Sequence, residues 1–328
     1  MKLMNLRSLT TIAVTAFAVL LSAGRVNAEQ SWPDHPIKLI VPFAPGGSDD
    51  PIARMVASKL SVRLGQSVIV ENRGGAGSSI GTEYVAKARP DGYTLLFTST
   101  SITTTAASRK ALPYNPEKDL QPIGEVASAP FVIFVSNDVK ARSLQELINL
   151  ARAQPNSIKY GSAGVGGMNH LGTALFASTA KVQMVHVPYK GIAPAFVDLI
   201  GGNLQMIVSS MPSSTQYVHS DKIRGVAVTG SQRSSLAPDL PTASESALPG
   251  FQLQVWWGVF GPAGLPAPIV KRLNSELNAI LALPEMQQML ARSGATARPG
   301  TPEALGALVS TDLGRWTKLI QSEHIVTE

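Results

Sequence analysis

The chain contains no cysteine. That absence excludes a disulfide scaffold, a cysteine nucleophile and thiolate metal sites. It also excludes a lipoprotein anchor, which is attached to a cysteine. Beyond the first residues no apolar run is long enough to span a bilayer. No Lys/Arg cluster with interleaved aromatics occurs, so the usual footprint of a nucleic-acid binder is missing. There is no P-loop ending in Gly-Lys-Ser/Thr and no Gly-x-Ser-x-Gly nucleophile elbow. The five histidines, His35, His170, His186, His219 and His324, include no i, i+4 pair and no zincin motif.

The chain does carry a leader pattern. Lys2 and Arg7 precede an apolar run over residues 9–21, and Val26-Asn27-Ala28 offers small residues for cleavage. This reads as a secretory signal peptide over residues 1–28, cut after Ala28, its apolar run too short and wrongly flanked for a membrane span. Loss of Lys2, Arg7 and Arg25 leaves 25 basic against 22 acidic residues, a net charge of +3. The expected product is a soluble, exported chain of about 300 residues, long enough for two domains.

One stretch organises the rest. Ile37-Lys38-Leu39-Ile40-Val41 is apolar and β-branched, Pro42 stops it, and Pro45-Gly46-Gly47 turns the chain. Asp50 followed by Pro51 reads as an N-cap and first helical residue, since proline lacks the amide hydrogen that position cannot use. Ile52, Met55, Val56, Lys59 and Leu60 then recur at helical spacing. Strand, glycine loop and helix N-terminus together aim free N–H groups and a positive dipole end at one spot, where anions bind.

The same device repeats. Strands are expected over 67–71 and 93–97, the second closing into the hydroxyl-rich Thr98-Ser99-Thr100-Ser101. Further strands are expected over 131–135, 158–161, 183–187, 205–208 and 225–228. Ser143-Leu144-Gln145-Glu146 is a capping box, and Ser162-Ala163-Gly164-Val165-Gly166-Gly167-Met168-Asn169-His170 is a second glycine loop before a helix. Two proline-rich connections, 112–116 with Pro122 and 236–241 running on to Pro249-Gly250, separate an outer from a central α/β series. Alternating strands and helices predict doubly wound parallel sheets with ligands beyond the strands' carboxyl ends. Two such lobes joined by two connections make a hinged clam.

Catalytic and cofactor readings find little in these residues. Gly75-x-Gly77-x-x-x-Gly81 follows the second strand instead of the first, and export argues against free nicotinamide cofactor. His170 could contact a ligand or serve capping and packing equally well. Asp198 reads as solvated or capping, and Trp256 and Trp257 as core.

Read together, WPDHPIKLIVPFAPGGSDDPIAR, GQSVIVENRGGAGSSIG, ARPDGYTLLF, LPYNPEKDLQPIG, YGSAGVGGMNHLG, HVPYKGIAPAFVDLIGGNLQMI, RGVAVTG, LPTASESALPG and WGVFGPAGLP resemble, in order, the Bug or TctC-like periplasmic receptors of the tripartite tricarboxylate transporter system. The resemblance implies an α/β, two-lobed Venus-flytrap fold, with lobe 1 over 29–125 and 240–328 and lobe 2 over 126–239. It implies a small organic carboxylate as ligand (di- or tricarboxylate, aromatic acid or amino acid), no cofactor or metal, transient inner-membrane permease partners and a monomer. Site residues carried over by it are Phe43, Ala44, Gly46, Gly47, Ser48 and Asp50 in the first loop, Thr98 and Ser99 in the third-strand loop, and Ser162, Ala163, Gly166, His170, Tyr189 and Ser209 in the second lobe. Four or five charge-assisted hydrogen bonds of roughly 1.5–3 kcal/mol each would cover the ~8 kcal/mol of micromolar capture, before closure costs.

At position 49, where many relatives carry a neutral residue, this chain has Asp49. An inward carboxylate would oppose an acid ligand and favour one bearing an amine; an outward one would merely favour the helix N-terminus. The outward orientation is the expectation. Alternatives to the transport receptor are a receptor presenting its ligand to a sensor kinase and, from another class, a secreted ester or amide hydrolase.

Overall fold

The computed structural model describes residues 32–45 and 47–326. The expected signal peptide and Gly46 lie outside the described residues. Residues His35–Glu328 form one compact unit, and only that unit is described below.

The element order is β1 Ile37–Val41, α1 Asp49–Leu64, β2 Val68–Asn72, α2 Ser79–Ala86, β3 Thr94–Ser99, α3 Ser101–Ser108, β4 Leu120–Ser136, α4 Leu144–Ala153, β5 Lys159–Ser162, α5 Met168–Ala180, β6 Val185–Pro188, α6 Ile192–Ile200, β7 Met206–Ser210, α7 Met211–Val218, β8 Ile223–Val228, α8 Ala243–Ser246, β9 Gln254–Pro262, α9 Ala267–Leu281, α10 Pro284–Arg292, β10 Thr296–Ala297 and α11 Pro302–Ser322.

Two sheets share one strand. In the first, β1 pairs in parallel with β2 and β3, β9 joins β3 antiparallel, and β4 joins β9 antiparallel. In the second, β5 pairs in parallel with β6 and β7, while β4 runs antiparallel to β7 and β8. The 17-residue β4 gives its first part, through Pro130, to β9 and its last part, from Phe131, to β7. Each sheet thus has the expected parallel strands, with β4 and β9 added antiparallel in the first and β4 and β8 in the second.

That strand corrects the expectation of an irregular proline-rich connection leading to a strand at Phe131. Proline lacks a ladder donor and is tolerated at bulges. Pro122 sits where the β4–β9 register shifts, and Pro130 is the last residue before β4 changes partners. Both prolines stand at irregular points of a continuous strand.

Each sheet buries its own apolar cluster. Ile40, Val85, Leu96, Trp256, Phe260, Leu305 and Val309 pack on the first. Val132, Phe134, Phe196, Leu199, Ile207 and Met211 pack on the second, with Phe134 edge-on to Phe196 at 5.6 Å. α1 buries Ile52, Val56, Leu60 and Leu64 against the first sheet and ends on Gly65 at φ 69°, whose N–H reaches Ser61 O. Among the described residues no helix is long and apolar enough to cross a membrane.

Candidate ligand-binding site

Loops at the carboxyl ends of β1, β3, β5 and β7 face one another across a cavity of about 600 Å³, an ordinary size for a small-ligand pocket. Phe131 of β4 and Val255 of β9, where the chain passes between sheets, also line it. Among the helices that start at this cleft, α1, α3, α5, α6 and α7 have no side-chain cap. Of those that start away from it, α4, α8 and α11 are capped by Ser143, Thr242 and Thr301, while α9 and α10 have no side-chain cap. An uncapped helix start leaves amide donors for something other than the protein's own side chains.

The first loop is held from behind. Gly81 lets α2 approach it closely, for a Cβ there would lie 2.6 Å from Arg73 O and 2.8 Å from Pro42 Cα. Asn72 Nδ2 donates to Phe43 O (3.1 Å) and to Asp50 Oδ1 (2.9 Å), and Arg54 Nε donates to Asp50 Oδ2 (3.0 Å). The Arg54 hydrogen bond holds the Asp50 carboxyl below the usual range. Asp50 is therefore the second residue inside α1, not its N-cap, and ties the loop to β2. The capping position belongs to Ser48, whose hydroxyl instead contacts Asp49 Oδ2 at 3.3 Å.

Asp49 overturns the outward expectation. It is the first residue of α1, only 8 % exposed, and lines the cavity. Its Oδ1 is buried with no hydrogen-bond partner. Burial pushes its proton affinity up, outweighing Ser99, Trp257 and Ser48 around it. The Trp257 indole is close, but its Nε1 makes no hydrogen bond of ordinary geometry.

α3 supplies a second stretch of wall. Ser101, Thr104, Thr105 and Ser108 face the cavity, with Arg109 just beyond them. Their i, i+3, i+4, i+7 spacing was a legible signal of a hydroxyl-faced helix where only a loop was expected. Arg109 and Asp49 are the two charged residues in the described wall.

The second-sheet wall consists of residues 163–169, Ile192, Ser209, Ser210 and Ser213. Its glycine loop is braced by imidazoles. Gly166 N donates to His170 Nδ1 (3.1 Å), His186 stacks on His170 at 3.8 Å, and Tyr160 stacks on His186 at 5.1 Å. Burial drives both histidines down to about 4, so both rings are neutral near pH 7. Gly166 has φ +75°, and a Cβ on it would stand 2.9 Å from Ser108 Oγ of the opposite wall. The two walls touch there.

Of the residues singled out in the sequence, Phe43, Ala44, Gly47, Ser48, Ser99, Ala163, Gly166 and Ser209 line the cavity. Asp50, Thr98, Ser162, His170 and Tyr189 lie off its wall. Thr98 is fully buried in β3 with an unpartnered Oγ1. Tyr189 donates its hydroxyl to Asp198 Oδ2 at 2.5 Å. Ser162 Oγ lies 2.6 Å from His186 Nε2, a contact invisible in the sequence, where 24 residues separate them. Ser162 is fully buried beneath the loop, and no carboxylate bonds to His186 among the described residues. A serine nucleophile needs access and an oriented base; this pair supports the loop.

Residues 52–325 match the tripartite tricarboxylate transporter family receptor, TctC. The protein BugT of Bordetella pertussis is 34% identical over 320 residues, covering 97% of this chain and 98% of BugT. Among solved structures, Rpa4515 of R. palustris with adipate superposes with a TM-score of 0.81 at 33% identity, covering 90% of this chain and 100% of that one. The periplasmic binding protein BugD does so at 0.77 and 35%, covering 90% and 100%. Two sheets sharing β4, paired glycine loops and this likeness along nearly the whole chain lead to one conclusion: the chain belongs to the TctC, or Bug, family of two-lobed α/β periplasmic solute-binding receptors.

Proposed function

We propose that the protein captures a small organic carboxylate in the cleft and hands it to the permease of a tripartite tricarboxylate-type transporter, with no chemistry done on the ligand. The carrying observation is the convergence of uncapped helix starts, α1 above all, on one cavity with hydroxyls and few charges. Backbone amides at helix N-termini hold carboxylates without a basic side chain. The adipate in the similar Rpa4515 structure supports the same ligand class.

The lobes follow the sheets. Lobe 1 holds the first sheet, lobe 2 the second, and the connecting strands pass between them at Pro130–Phe131 and near Leu253–Gln254. Capture starts on the first loop, and closure brings the second-sheet wall onto the ligand's far end. The leader would place the mature chain in the periplasm.

The test is the melting temperature of the ligand-free mature protein across aliphatic, aromatic and amino carboxylates. An acid at about a hundred times its Kd adds roughly 2.7 kcal/mol, a shift of several degrees. A flat panel would contradict the proposal, and ester turnover that survives repurification would favour the hydrolase.

A further inference from the structure

Asp49 is the one acidic side chain in the described cavity wall, and its position is hard to reconcile with a passive role. As the first residue of α1 it stands beside the amides that would hold a ligand's carboxylate. Its Oδ1 is buried and lacks a partner. A ligand carboxylate brought against so buried a side chain would share a proton with it, because two adjacent ionised carboxylates repel.

We propose that Asp49 is the residue that sets the charge state of the ligand this pocket accepts: it binds the ligand's carboxylate as a neutral acid, donating its hydrogen to it, so that at a pH where Asp49 of the free protein is ionised each capture draws one proton from solvent. This rests on the carboxylate reading above.

The surroundings support it. On its own helix, Asp50 is occupied by Arg54 and Asn72. From β3 and β9 come Ser99 and Trp257, neither of which ionises near neutrality. Elements packed on α1 bring Lys38 of β1 and Glu71 of β2, which pair with each other at 4.0 Å. α9 brings Arg272 and Glu276, paired at 3.0 Å, with Arg63 of α1 also on Glu276. The second-sheet wall adds no charge, and Arg109 is the single cation of the described lining. None of these ion pairs includes Asp49. Burial without a cation favours the protonated form, as its raised proton affinity shows.

The experiment is titration calorimetry of the mature protein with succinate, adipate, citrate, benzoate and L-glutamate, in buffers of different ionisation enthalpy, from about pH 6 to 9. The account expects an acid without an amine to bind, uptake to rise towards one proton per ligand at the upper pH, and Kd to climb by up to about tenfold per pH unit. In Asp49→Asn, whose melting temperature reports folding, uptake and pH slope both vanish, whatever the affinity. Tight binding of succinate or adipate with no proton uptake anywhere up to pH 9 and no pH slope overturns the inference and leaves the carboxylate reading standing. So does binding of L-glutamate alone without uptake, which would make Asp49 an ionised partner for an ammonium group. If no member of the panel binds at any pH, both readings fail.

Discussion

The cleft's two walls are built by the same device and stabilised by opposite means. On the first sheet, the loop before α1 is anchored by the Asp50–Arg54 ion pair and the Asn72 hydrogen bond, and the wall carries both charged residues of the described lining, Asp49 at the start of α1 and Arg109 just after α3. On the second, the loop before α5 is anchored by neutral stacked imidazoles and presents glycines and apolar side chains, with Asn169 of α5 and the hydroxyls of Ser209, Ser210 and Ser213 completing the wall. The difference teaches a division of labour. Under the proposals above, charge is judged on the first wall and fit on the second.

The largest expected effect breaks the contact between the walls. Gly166→Val places a branched side chain where even a Cβ meets Ser108, at a positive φ that valine avoids. Closure is blocked, and the Kd for whichever acid binds the wild type rises about a hundredfold, close to 3 kcal/mol. Calorimetry checks it; unchanged affinity would show that capture needs only one wall.

Next comes acid sensitivity of the second wall. His170 and His186 titrate near 4 in the fold and near 6.5 when unfolded, so the unfolded state takes up protons first. Stability is present above pH 6.5 and lost as pH falls towards 4, on the order of 3 kcal/mol after allowance for partial exposure. Urea unfolding at stepped pH measures this, and His186→Phe makes the loss shallower.

The first wall responds with the opposite sign. Asp49 binds its proton more tightly folded than unfolded, so its contribution is lost as pH rises from 3.8 through its raised folded value. Asp49→Asn removes that penalty and raises the melting temperature of the ligand-free protein at pH 8, with the gain shrinking towards pH 4. A destabilised Asn variant at pH 8 would mean Asp49 has an ionic partner. The smallest effect lies outside both walls. The exposed pair of Lys59 with Glu285 at 2.5 Å is worth at most about 0.5 kcal/mol, and Lys59→Ala leaves ligand affinity unchanged.

What the sequence made legible followed from periodicity and punctuation. The β1-loop-α1 unit, the glycine loop at 163–167 and the capping box at Ser143 were readable because each is a local pattern. Asp49 and Asp50 were not separable that way: adjacent residues on a helix point about 100° apart, and which one turns inward depends on Asn72 and Trp257, distant in sequence. The Asp-Pro pair suggested a cap two residues too late. β4 was hidden because prolines argue against a strand until the bulge that tolerates them is seen. The Ser162–His186 contact and the touch of Gly166 on Ser108 are products of the folded chain alone.

The most direct measurement is the crystal structure of the mature protein with the acid that raises its melting temperature most. The account predicts a carboxylate within hydrogen-bond distance of the first α1 amides and of Asp49, its far end touched by the loop at 164–169. A ligand seated elsewhere, or held without contact to the α1 N-terminus, would contradict it.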